Sequence, residues 1–128
     1  MRTLLVAAAL GAAPTAGAAS AEPFTLLIYE TPADIAQRSD TGPAGQAYWA
    51  EYGAYAQVLQ TSGAVRGGAA LAVPADAIAA SGLHLGGYFS LDVADRAAAE
   101  ALARQAPSAR RGGRAEIRAA YPAPTMTK

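Results

Sequence analysis

Between Leu85 and Tyr121 the alternation of apolar and polar residues changes its period twice, and the pattern predicts strand, helix, loop and strand within 37 residues. Leu85, Gly87, Phe89, Leu91 and Val93 alternate with Gly86, Tyr88, Ser90 and Asp92, which places the two sets on opposite faces of an extended segment. Asp95 stands where a helix N-cap belongs, its side-chain oxygen available to the first free amides. The run RAAAEALARQ has high helix propensity, and Ala98, Ala101 and Leu102 give it a thin apolar stripe. Pro107 stops the helix, and Gly112-Gly113 turns the chain into a last strand, Arg114 to Tyr121.

The preceding half repeats this order. Phe24 to Glu30 (FTLLIYE) is apolar and suited to a strand buried on both faces. Pro43 fits the first turn of a helix and Gly63 its end. Between them Tyr48, Tyr52, Tyr55 and Leu59 recur at i, i+4, i+7 and i+11, one helical face. A strand from about Ala64 to Val73 follows. The order β-α-β, short connection, β-α-β predicts an α+β, ferredoxin-like βαββαβ fold, a four-stranded antiparallel sheet with two helices on one face.

At 128 residues, 52% of them hydrophobic, the chain has room for one core and is not of disordered composition. Many apolar residues are alanines, each burying little area, so a modestly stable domain is expected. The second face of the sheet needs cover, and another copy of the chain would supply it, which predicts a homodimer.

Met1 to Ala21 is a different kind of sequence. Arg2 is a minimal positive region, Thr3 to Ala13 is an apolar run, and Pro14 and Gly17 break it. Ala19-Ser20-Ala21 has small residues where signal peptidase reads, so a signal peptide over residues 1–21, cleaved after Ala21, is expected, with a periplasmic or secreted product. The run is too short for a stable membrane span. An Ala-rich extension from a misassigned start would share this composition. The domain then spans 22–122, followed by a short tail, 123–128. The whole chain carries 10 basic and 10 acidic residues. No cysteine is present, so thiolate chemistry and disulfides are excluded.

Candidate chemistry is sparse. His84, the single histidine, is a candidate general base, but with no partner assignable the favoured reading is a loop residue leading into a strand. One histidine among scattered carboxylates has no metal-ligand spacing, so neither a metal nor another cofactor is expected. Tyr48, Tyr52 and Tyr55 beside Trp49 form either a pocket wall or core. Tyr88, Ser90 and Asp92 share a strand face and are candidate ligand-binding groups if that face lines a cavity between subunits; Asp92 is also a candidate general base. Arg110, Arg111, Arg114 and Arg118 cluster locally, but charge elsewhere balances them, which argues for a solvated loop and against nucleic-acid binding. Neither a phosphate-binding glycine loop nor a G-x-S-x-G elbow occurs.

LLIYE, YGAYAQVLQTSGAV, LGGYFSLDV and the closing PSARRGGRAEIRAAYP, in this order across most of Phe24 to Pro122, resemble the YCII-related family, in particular its branch named for a DGPF motif. The resemblance implies a dimeric ferredoxin-like α+β barrel with a cleft between sheet and partner subunit. Members are mostly small bacterial proteins without assigned function. A few relatives are enzymes, including a dehydrochlorinase of aromatic degradation for which a His–Asp pair is proposed. Here the Asp-Gly-Pro-Phe signature is replaced by PADAIAASGLH, Pro74 to His84, and the first helix lacks the required histidine. The sequence therefore suggests an exported, non-catalytic dimer binding a small molecule in the intersubunit cleft. The alternatives are a lyase- or isomerase-type enzyme using His84 or Asp92, and a purely structural or protein-interaction dimer.

Overall fold

A computed structural model of the protein describes residues 21–79 and 82–124. The expected signal peptide therefore lies outside the described residues except for Ala21, as do the last four residues of the tail and residues 80–81 of the Pro74–His84 segment. The elements run β1 (Glu22–Glu30), α1 (Pro32–Gln37), α2 (Pro43–Ser62), β2 (Val65–Ala70), α3 (Ala75–Ala79), β3 (His84–Val93), α4 (Arg96–Ala103), α5 (Pro107–Arg110) and β4 (Arg114–Ala119). Four strands form one sheet in the order β2-β3-β1-β4, every neighbouring pair antiparallel. This is the predicted α+β, ferredoxin-like architecture, with the short helices α1, α3 and α5 added to it.

The principal helices form for the reasons their sequences suggest. Pro43 opens α2, and Gly63 closes it in the left-handed conformation at φ 77°. Asp95 caps α4, its carboxylate accepting from the Ala98 amide at 2.9 Å. α1, which the apolar pattern does not announce, is capped by Thr31, whose hydroxyl accepts from the Asp34 amide at 3.1 Å, with a proline in its first turn. Pro107 does not stop α4, which ends at Ala103; it starts α5 instead.

Phe24, Leu26 and Ile28 of β1, Leu91 and Val93 of β3 and Ile117 of β4 face the helices and pack with Tyr55, Leu59, Ala99, Ala103 and Ala106. Alanines at α4 and its C-terminal turn let the helix lie close to the sheet. The buried stripe of α4 is Ala99 and Ala103 flanked by Ala98 and Leu102, while Ala101, expected inside, is exposed. β1 is buried on one face only: Thr25, Leu27 and Tyr29 on the other are half-buried within a single chain. In β3 a register shift skips Gly86, so Leu85 pairs with Tyr29 and joins that outer face, apart from Gly87, Phe89, Leu91 and Val93.

Candidate functional site

Glu30 ends β1 on the core face, in step with Phe24, Leu26 and Ile28, and is 1% exposed. A carboxylate buried there requires compensation, and two side chains supply it. Tyr48, from the first half of α2, donates its hydroxyl hydrogen to Oε1 at 2.5 Å. Arg38, the residue that ends α1, donates from Nη2 to Oε2 at 2.7 Å. Arg38 also donates from Nη2 to the Gly86 carbonyl (2.6 Å), from Nη1 to the Leu71 carbonyl (2.7 Å) and from Nε to the Tyr48 hydroxyl (3.1 Å). One guanidinium thus ties β1, α1, α2, the end of β2 and the β3 bulge together.

Electrostatics at this corner are self-consistent. Burial, reinforced by the bond to Glu30, pushes the Tyr48 hydroxyl up to about 12, so it stays protonated and serves as a donor. Burial opposes the charge of Arg38, but its bonds to Tyr48 and Glu30 outweigh that and hold it firmly cationic. Gly86 is required by the geometry: a Cβ there would come within 2.0 Å of Glu30 Oε2.

Beside this corner lies a cavity of about 200 Å³ between α2 and the sheet. Ile28, Gly87 and Phe89 form its sheet side; Tyr48, Trp49 and Tyr52 form its helix side; Gly68, Ala69 and Ala70 of the edge strand β2 border it. Trp49 is 45% exposed, stands edge-on to Tyr48 with centroids 5.1 Å apart, and donates its indole N–H to the Arg38 carbonyl at 3.2 Å. Tyr52 packs against Tyr48 at 5.0 Å. Burial raises the Tyr52 hydroxyl above its ordinary value, and among the described residues it has no hydrogen-bond partner. Ser108 neighbours it; the Ser108 hydroxyl donates to the Arg114 carbonyl at 3.2 Å, which leaves its oxygen able to accept.

The aromatic stripe of α2 thus divides between two roles. Tyr55 is core, its hydroxyl donating to the Leu102 carbonyl at 2.7 Å and its ring meeting Phe89 edge-on at 5.8 Å. Tyr48, Trp49 and Tyr52 wall the cavity.

The other candidates lie elsewhere. Ser90 and Asp92 sit on the outer sheet face, opposite Thr25 and Pro23 of β1, and Asp92 is ion-paired with Arg66 at 2.8 Å. Tyr88 shares their strand parity, opposite Leu27, and borders the cavity from β3. His84 is not in a loop: it begins β3 directly opposite Glu30, with Nε2 buried and unpartnered among the described residues. Of the arginine cluster, Arg110, Arg114 and Arg118 are exposed, as expected, but Arg111 is drawn into the structure. Arg111 forms a fork on Glu51 (3.2 Å to each oxygen), reaches Asp34 at 3.0 Å and lies 5.7 Å from the Tyr48 ring centre. Arg114 and Arg118 pair with Glu116 on β4, and Arg114 also covers the Tyr29 ring at 4.2 Å. Among the described residues no group of three or more His, Cys, Asp or Glu is placed to hold a metal ion, and no helix is long and apolar enough to cross a membrane.

Sequence reasoning passed over Glu30 and Arg38. Glu30 was detectable: alternation from Phe24 puts it on the buried face, and a buried carboxylate implies a partner. Nothing local marks Arg38, whose partners come from four other parts of the chain.

No curated protein matches the chain. The model of the YCII-related domain matches residues 23–121, which takes in all four strands and both long helices but for the first residue of β1. With that match across the whole sheet, this chain belongs to the YCII-related domain family.

Proposed function

We propose that the protein is an exported, non-catalytic dimer that binds a small molecule in the cavity between α2 and the sheet. The observation that carries this reading is the cavity itself: aromatic walls, a glycine floor and one fixed polar corner, the composition of a ligand pocket. The cavity is walled within one chain, which favours it over a cleft built only by two subunits. The half-buried outer face, with Leu27 and Tyr29 beside the exposed Leu85, supports self-association, and Tyr88, Ser90 and Asp92 would then lie at the interface. The tripartite segment before Glu22 supports export to the periplasm or medium.

Native mass spectrometry of the protein purified from the periplasm tests this in one spectrum. The expected species is a dimer beginning at Glu22 with additional small-molecule mass. Two variants then locate the molecule. Trp49→Ala should lose it and Asp92→Ala should keep it; the reverse would place binding on the outer face. No retained or titratable molecule in any form would leave a structural dimer as the function.

A second reading is a proton-transfer enzyme of the lyase or isomerase type. It is favoured by His84, which pairs with Glu30 across the sheet and whose buried Nε2 has no partner among the described residues. Asp92 fits this role less well, because its carboxylate is engaged by Arg66. A turnover that His84→Ala abolishes while the fold is retained would establish it.

A further inference from the structure

Size, charge and the unmet hydrogen-bond donors at the cavity narrow what it can hold. We propose that the occupant is an uncharged molecule with a single flat ring and one hydrogen-bond acceptor, the acceptor meeting Arg38 and the ring lying against Trp49, Tyr52 and Phe89. This rests on the cavity being the binding site.

Size comes first. A dry cavity of roughly 150 Å³ accepts benzene, and this one is about 200 Å³. A ring with one small substituent fits, whereas two fused rings with substituents do not. Shape follows from the walls. Aromatic side chains favour other rings in edge-to-face and offset contacts, and Gly87 and Gly68 add no side chain to the lining.

Charge is decided by the corner. Its carboxylate and its guanidinium are 2.7 Å apart and neutralise each other. An anion would meet Glu30 with no second free cation among the described residues that line the cavity, and a cation would meet Arg38; either would lose its hydration without a counter-charge. Arg111, near the Tyr48 ring, is already held by Asp34 and Glu51.

The polarity of the ligand's one polar group follows from counting donors. A guanidinium has five N–H groups. Four of those on Arg38 are used, by Tyr48, Leu71, Glu30 and Gly86, leaving one on Nη1 without a protein partner among the described residues. The Tyr48 hydroxyl already donates to Glu30 and accepts from Arg38. The Tyr52 hydroxyl is also without a partner among the described residues; both groups can donate, so the ligand brings the acceptor.

Trp49 is the only tryptophan, so its indole N–H gives one resolved signal in a proton–nitrogen correlation spectrum. That signal is followed while the mature protein is titrated with acetophenone, toluene, benzoate and benzylammonium. Acetophenone is a neutral ring with an acceptor, toluene lacks the acceptor, and the last two carry opposite charges. The expected result is saturable movement with acetophenone, bound about tenfold more tightly than toluene, as one bond to a charged donor implies, and more tightly than either ion. Ala70→Phe should abolish it: Ala70 is exposed, borders the cavity and pairs with Gly87, so a ring there closes the mouth without disturbing the core. Benzoate or benzylammonium binding as well as acetophenone would overturn the ligand class while leaving the cavity as the site. No saturable movement with any probe would overturn it too. A molecule co-purifying with the native chain and lost in Ala70→Phe would still uphold the binding reading. Movement that persists in Ala70→Phe would place binding outside the cavity and overturn both.

Discussion

Glu30 and Arg38 show how far one residue pair can determine a local structure. Each is buried or nearly so, with side chains 2% and 16% exposed, and each satisfies the other. Removing one member leaves a desolvated charge, a change that typically costs about 3 kcal/mol or more. Arg38→Met should therefore lower the urea midpoint by a corresponding amount. The double variant Glu30→Gln with Arg38→Met should lose less than the two single losses combined, since no charge is then stranded. Equal or greater loss in the double variant would show that the pair acts only through packing. The tyrosines beside it set the alkaline limit. Burial raises the Tyr48 hydroxyl from 10.0 to about 12 and raises Tyr52 and Tyr55 as well, so the fold favours the protonated phenols. This contribution is complete below pH 10 and is lost as the pH rises through 12. Unfolding and tyrosinate absorbance should appear together in an alkaline titration. On the acid side, the bond to Arg111 lowers Glu51 below 4.5. Its stabilisation is present above that value and disappears as the pH falls through the lowered one. Glu51 is 41% exposed, so Glu51→Gln should cost only about 0.5 kcal/mol at neutral pH, and less in salt.

At the scale of elements, α2 was legible almost to the residue because both ends are written in backbone chemistry. Pro43 fixes φ at the start, and Gly63 adopts φ 77° at the end. A Cβ at Gly63 would meet nothing within 4 Å, so the penalty of Gly63→Ala is conformational alone, about 1 kcal/mol. Gly63→Asn should recover part of it; chemical denaturation of the two variants checks the order. β3 was legible except at its start, where the register shift sends Leu85 to the opposite face from Gly87. Strict alternation cannot reveal a bulge, because the extra residue is accommodated through pairing with β1 and not through its own side chain. The stripe of α4 was misplaced for a related reason. Its face is almost all alanine, so hydrophobicity does not distinguish Ala99 from Ala101; contact with β4 and β1 does.

For the whole molecule, the face of the sheet away from the helices is the surface that a second copy would cover. Thr25, Leu27 and Tyr29 are half-buried there, and Leu85 is 37% exposed. If a second copy covers this face, Leu27→Lys should yield monomers in native mass spectra while circular dichroism stays unchanged. A dimer that survives this change would have another interface.

The sequence by itself determined the order of the four strands and two long helices, the ends of α2, the cap of α4 and the alternation of β1 from Phe24 to Ile28. These depend on backbone dihedrals and on alternation, which neighbours in the chain control. Even Glu30 was within its reach, by parity. Only tertiary structure could bring Arg38 and Tyr48 onto that carboxylate and the Leu71 and Gly86 carbonyls onto Arg38, divide the α2 aromatics between core and cavity, and set Asp92 against Arg66. Those outcomes depend on contacts between residues as many as 48 positions apart, and no local pattern encodes which distant group will neutralise a buried charge.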